Sequence, residues 1–175
     1  MQRNTIFILP YHTPCGGLLL GAYEDRLCLC DWQAAPHHTQ IIKRLQRLLH
    51  ADTAQGTAPV IAQAITQLDE YFAGTRQVFG VPLLFAGTAF QQSVWNELLH
   101  IPYSTTISYA DLALHIGNPT AVRAVANATG ANALSIFVPC HRVIGTNGSL
   151  TGYAGGLPTK HYLLALEAQG DCVAP

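Results

Sequence analysis

Three short apolar segments open the chain: Ile6-Phe7-Ile8-Leu9, residues 17–23, and Leu27-Cys28-Leu29-Cys30. They have strand character, and Glu24-Asp25 between the last two reads as a hairpin turn. The period then changes. Ile41, Leu45, Leu48 and Leu49 recur at helical spacing, with Lys43, Arg44 and Arg47 on other faces. Residues 52–59 are small and polar and read as a loop. Ile61, Ile65, Leu68 and Phe72 predict a second helix over 60–72, stopped by Gly74. Residues 78–85 read as a strand or an extended linker, and Pro82 argues against a central strand.

Beyond residue 85 the pattern is a run of short helices. Thr88, followed three residues on by Gln91, has the spacing of a capping box. Phe90, Val94, Leu98 and Leu99 make an apolar stripe ended by Pro102. Ser108 and Asp111 repeat the cap pattern, and Ala110, Leu114 and Ile116 lead to Gly117-Asn118-Pro119. A further helix is predicted over 121–128, ending near Gly130. Two short helices joined by a tight turn are compatible with a helix-turn-helix, but by pattern alone an ordinary pair of core helices is the commoner reading. An apolar run over 134–138 leads into Pro139-Cys140-His141-Arg142. A glycine-rich loop over 145–156 follows, then a last helix over 160–168.

Composition narrows the class. A hydrophobic content of 49% with 11% charged residues describes a folded globular protein. The formal net charge of -1 gives no basic footprint for nucleic acid, so any DNA contacts must be few and well placed. No apolar run approaches the ~20 residues that span a bilayer. Cys15, Cys28, Cys30, Cys140 and Cys172 are odd in number and irregular in spacing, against a disulfide scaffold and in favour of a reducing, cytoplasmic compartment.

Cys140 is nucleophilic only as a thiolate, and a free thiol with a pKa of about 8.5 supplies few at neutral pH. His141 could take its proton and Arg142 could stabilise the anion. An inert buried thiol is the competing reading. A carboxylate is expected to orient the histidine, and spacing leaves Glu97, Asp111, Glu167 and Asp171 all open. Cys28 and Cys30 with His37 and His38 contain zinc-ligand types, but alternate strand residues face opposite ways, so no metal or cofactor is expected.

Residues 85–170 resemble the C-terminal domain of the O6-alkylguanine-DNA alkyltransferases, the methylated-DNA–protein-cysteine methyltransferases. Carrying the resemblance are Gly87-Thr88-Ala89-Phe90-Gln91, Ile101-Pro102-Tyr103, Ser108-Tyr109, Arg123-Ala124-Val125 and Asn132. Pro139-Cys140-His141-Arg142-Val143 and Gly152-Tyr153-Ala154-Gly155-Gly156-Leu157 complete it. The resemblance implies an α+β protein. A ribonuclease H-like strand-helix domain over 1–85 would precede a winged-helix-like domain with a helix-turn-helix over 86–175. It also implies flipping of O6-alkylguanine from duplex DNA and single-use transfer of the alkyl group to Cys140. O4-alkylthymine is left open as a second substrate. Glu167, His141 and a water would form the relay to Cys140, and Asn132 would brace the turn before it. Arg123 would fill the gap left by the flipped base in the minor groove, and Tyr109 would donate to its N3. The carbonyls of Cys140 and Val143 and the N–H of Ala154 would read the base, with Tyr153 and Gly155 forming the pocket wall. The protein would act as a monomer, with cooperative assembly on DNA left open. Ser104 departs from a usual glycine and Ser135 from a frequent proline. Relatives that only sense damage lack the cysteine; a cysteine hydrolase would need no DNA.

Overall fold

The computed structural model describes residues 4–170. Asp171 and Cys172 lie outside them. Strands β1 (Asn4–Thr13), β2 (Gly16–Tyr23) and β3 (Arg26–Trp32) form an antiparallel meander. Glu24, with φ of 53°, makes the β2–β3 turn. Helix α1 (His38–Leu49) ends at His50, whose φ of 49° turns the chain into β4 (Ala51–Gln55). β4 runs parallel to β1, giving the order β3-β2-β1-β4. The first half of the expected 52–59 loop is therefore an edge strand. The apolar signal is absent because only Ala51 of this strand is buried, and an edge tolerates small polar residues. Helix α2 (Pro59–Phe72) follows, with Gly74 at φ of 75° after it.

Successive β2 side chains enter different cores. Leu18 and Leu20 pack with Ile61, Leu68 and Tyr71 of α2, whereas Leu19 packs with Ile41 and Leu45 of α1. Both faces of the sheet are covered, which is why these strands read as continuous apolar runs. Residues 78–85 form no regular strand. The backbone N–H of Leu27 donates to the Pro82 carbonyl (2.8 Å), and that of Leu84 to the Leu27 carbonyl (2.8 Å). They lie along the outer edge of β3, where a proline that only accepts is tolerated.

Helix α3 (Ala89–Leu98) starts in the Thr88–Gln91 capping box and α4 (Tyr109–His115) in the Ser108–Asp111 box. Helix α5 (Val122–Gly130) packs against both. Asn118 and Gly117, the latter at φ of 75°, make the turn between α4 and α5. Strands β5 (Ile107–Ser108) and β6 (Val143–Ile144) pair in parallel beside them. Helix α6 (Leu157–Gly170) begins earlier than the expected residue 160, with Pro158 at its second position, where a missing N–H costs nothing. The whole is α+β, a sheet-and-helix part followed by a mainly helical one. The larger core draws on both, from Leu18 to Leu163. No helix among the described residues is long and apolar enough to cross a membrane.

Candidate active site

The segment between α5 and Cys140 is folded tightly on itself. Ile136 has φ of 73°, and the Phe137 N–H donates to the Ser135 carbonyl (2.9 Å). That is a γ-turn centred on a β-branched residue, a strained conformation. Asn132 holds the turn together. Its Oδ1 accepts from the Leu134 N–H (2.9 Å), and its Nδ2 donates to the Val138 carbonyl (3.0 Å) and to Cys140 Sγ (3.2 Å). The edge of β3 holds it from the other side. The Cys30 N–H donates to the Ala133 carbonyl (2.7 Å), and the Ser135 N–H donates to the Cys30 carbonyl (2.7 Å).

Cys140 opens a short 3₁₀ turn (Cys140–Arg142) and is 7% exposed. Burial pushes its thiol pKa up; the Asn132 hydrogen bond and the Lys160 charge offset part of this, and Asp31 adds to it. His141, wholly buried, places Nε2 2.6 Å from Glu167 Oε1. An ionised carboxylate can only accept, so Nε2 carries the proton and Nδ1 presents a lone pair. Nδ1 is buried and has no hydrogen-bond partner among the described residues. Burial also lowers the His141 pKa, although Glu167 opposes it, so the ring is held neutral and basic at Nδ1.

Glu167 resolves the choice among carboxylates. Glu97 lies near the surface with His100 and His115, and Asp111 is spent on its capping box. Glu167 Oε1 accepts from Tyr71 (2.8 Å), His141 and Arg142 Nη2 (3.0 Å). Oε2 accepts from Arg142 Nε (2.9 Å) and the Ser104 N–H (3.1 Å). Burial alone would raise its pKa, but His141 and Arg142 hold it down to about 2. Arg142, read from the sequence as a stabiliser of the thiolate, instead forks onto Glu167 and donates to the Ile101 carbonyl (2.7 Å). The cation influencing the sulfur is Lys160, which is fully buried and donates to the carbonyls of Val143 (2.5 Å) and Thr151 (3.1 Å). Lys160, Tyr71 and the Ser104 N–H were missed by sequence reasoning. Ser104 has φ of 61°, which explains the usual glycine there.

A cavity of about 740 Å³ opens over the sulfur. Cys140, Asn132, Tyr109, Arg123, Tyr153 and Ala154 all line it, as do Ser135 and, from the β3–α1 loop, His37. Arg123 is exposed at the second position of α5. The Tyr109 hydroxyl reaches the Thr151 carbonyl (3.3 Å), and the Tyr153 hydroxyl accepts from Trp32 Nε1 (3.1 Å). Val143 is buried beside the site. Gly155 lies against Trp32, where a Cβ would come within 2.9 Å of the indole. Its absent side chain thus serves packing of the two parts. Cys28 and Cys30 enter different cores, His38 Nδ1 pairs with Asp31 (2.6 Å), and His37 Nδ1 meets Gln40 (3.2 Å). Among the described residues, no group of three or more His, Cys, Asp or Glu is placed to hold a metal ion.

Residues 9–85 match the ribonuclease-like domain of 6-O-methylguanine DNA methyltransferase, and residues 89–169 match its DNA-binding domain. The constitutive methylated-DNA–protein-cysteine methyltransferase of Bacillus subtilis is 44% identical over 164 residues, 89% of this chain and 91% of that protein. That of Methanosarcina acetivorans is 42% identical, covering 93% of this chain and 97% of its own. The Mycobacterium tuberculosis OGT, solved in complex with DNA, superposes with a TM-score of 0.79 at 39% identity, covering 95% of this chain and 94% of that one. A cysteine braced by Asn132, a buried histidine–glutamate pair behind it and the packed helices α4 and α5 beside its cavity accompany relatedness along nearly the whole chain, which belongs to the methylated-DNA–protein-cysteine methyltransferase family.

Proposed function

We propose that this protein repairs O6-alkylguanine in duplex DNA by moving the alkyl group irreversibly to Cys140. The observation that carries the reading is the continuity of the site. Cys140 lies at the floor of a cavity walled by α5 and the glycine-rich loop, with His141 and Glu167 behind it.

The chemistry follows from the groups. The alkyl carbon on O6 is inaccessible inside a duplex, so the nucleotide must be flipped out, at a cost of a few kcal/mol. Arg123 enters the stack from the minor groove, and the small residues of α5 let its backbone approach the phosphates. The Ala154 N–H donates to O6, and the carbonyls of Cys140 and Val143 accept from the guanine amino group. The thiol proton passes through a water to His141 Nδ1, and the anionic Glu167 stabilises the resulting imidazolium. Sγ then attacks the alkyl carbon, the S–C bond forms and the C–O6 bond breaks. The electron pair goes to the guanine, and Tyr109, at N3, makes it a better leaving group. Nothing in the site is arranged to cleave the thioether, so each molecule acts once.

Residues 1–85 act as a scaffold for residues 86–175, which hold DNA and accept the alkyl group. The protein works as a monomer in the cytoplasm, where thiols stay reduced; Cys15, Cys28, Cys30 and Cys140 form no disulfide with one another. The test is incubation with duplex DNA bearing radiolabelled O6-methylguanine. Label should move to protein, stop at one equivalent, and vanish with Cys140→Ser. Release of labelled methanol, or repeated turnover, would refute the reading.

A further inference from the structure

We propose that Arg44, on α1, is a positioning residue for the alkyl transfer: it fixes the end of α5 and through it the Asn132 turn that addresses the sulfur. The inference rests on the repair reading above and names a residue outside its machinery.

Arg44 belongs to the first part of the chain, yet its bonds are made in the second. Nη2 donates to the Ala131 carbonyl at 2.7 Å. The guanidinium lies over the Trp95 ring, 5.5 Å from its centroid, and Trp95 Nε1 donates to the Ala128 carbonyl at 2.8 Å. Carbonyls at a helix C-terminus have no partner within the helix, and a cation there also meets the negative end of the dipole. Arg44 and Trp95 thus close the C-terminus of α5 as a stacked pair. The next residue is Asn132, whose side chain shapes the γ-turn and touches Cys140 Sγ. Arg44 is itself braced by the charge of buried Asp31, which His38 pairs at 2.6 Å. One connected path therefore runs from the surface of α1 to the nucleophile. It passes through a carbonyl, a single residue step and an amide.

Lys160 from α6 and Asp31 from β3 act on the Cys140 thiol by charge, the thiol in turn acts on Cys30 of β3, Tyr109 of α4 and Tyr153 of the glycine-rich loop, and His141 follows it in the 3₁₀ turn. Arg44 is not among them. An upward shift of the thiol on loss of Arg44 travels through Asn132, the hydrogen-bond donor that favours the thiolate; the route through Asp31 has the opposite sign, because without Arg44 the Asp31 anion that raises the thiol pKa is itself less favoured.

The experiment compares wild type, Arg44→Met, Arg44→Lys and, as a charge control on the same helix, Arg47→Met. Single-turnover transfer from duplex DNA with radiolabelled O6-methylguanine is followed at saturating DNA across pH, beside equilibrium DNA binding. For Arg44→Met the saturated rate should fall by roughly 10- to 100-fold, the scale of a displaced active-site group. The midpoint of its rise with pH should move upward, with DNA affinity within about twofold. Arg44→Lys, which keeps a donor and the charge, should restore most of the rate, and Arg47→Met should match wild type. An unmoved midpoint with only a smaller reactive fraction would make Arg44 mere packing. Weaker DNA binding with a normal saturated rate would make it a DNA contact. Either outcome overturns the proposal. If Arg44→Met does not fold, Arg44→Gln, which loses the charge and the stacking on Trp95 but keeps a shorter donor, should show a smaller fall in rate and a midpoint shift in the same upward direction, and an unmoved midpoint again overturns the proposal. Failure of wild type to take label would sink the repair reading instead, and is read separately.

Discussion

Replacing Glu167 by glutamine should destabilise the protein most at neutral pH and progressively less in acid. The carboxylate is fully buried and held down to about 2, against an ordinary glutamate value near 4.5. A depressed pKa means that the folded state binds the proton less readily than the unfolded chain. The contribution is therefore complete above the unfolded value and is lost as pH falls from about 4.5 towards about 2. About 2.5 pH units at about 1.4 kcal/mol each give roughly 3 kcal/mol. A similar figure, about 3–5 kcal/mol, attends the breaking of a buried pair, here leaving Arg142 without its counter-charge. Urea unfolding of wild type and Glu167→Gln at several pH values supplies the measurement. The two stabilities should differ by about 3 kcal/mol at pH 7 and converge as the carboxylate protonates. The comparison belongs below about pH 4.5, since His141, with its lowered pKa, already weakens both proteins as pH drops through about 6.5. A gap of constant size between about pH 4.5 and about pH 3 would refute the account of Glu167 as a clamped anion.

Other perturbations test other parts of the site. Ser104→Gly should raise stability by about 1 kcal/mol, because φ of 61° strains any residue with a Cβ; calorimetry showing a loss would mean the hydroxyl matters more than the backbone. Lys160→Met removes the cation that favours the thiolate and leaves the Val143 and Thr151 carbonyls short of a donor, so thiol alkylation by iodoacetamide should need higher pH than in wild type. An unchanged titration would show that Lys160 only packs. With nine lysines and arginines in the chain, DNA affinity should fall shallowly with salt, and a slope reporting many neutralised phosphates would contradict the close backbone approach assigned to α5.

Local signals were the legible ones. Both capping boxes appear where Thr88–Gln91 and Ser108–Asp111 placed them, because a cap is decided within four residues. The β1–β3 segments were legible because the sheet is buried on both faces. β4 was not, since an edge strand beside β1 takes its identity from its partner's backbone rather than from its own side chains. The same holds at the site. The spacing of Cys140 and His141 raised the chemistry, but nothing in sequence separation selects Glu167 from Glu97 or Asp111. The selection is made by Tyr71, Arg142 and Ser104 converging from three different elements. Arg142 was misassigned because adjacency in sequence says little about direction in a 3₁₀ turn, where the guanidinium leaves on the side of α6.

The outer edge of β3 carries two lodgers: residues 82–84 along one stretch and residues 133–135 along the other. An open strand edge is a template for pairing with other chains, and proteins must blunt it. Here the segment that leads to the nucleophile does the blunting. Substitutions that unseat residues 133–135 would thus bare a strand edge in the same event that disorders the sulfur, and loss of solubility would accompany loss of repair. For variants of this loop, light scattering is as direct a readout as alkyl transfer, and a variant that stays clear in solution while inactive has been damaged at the chemistry alone.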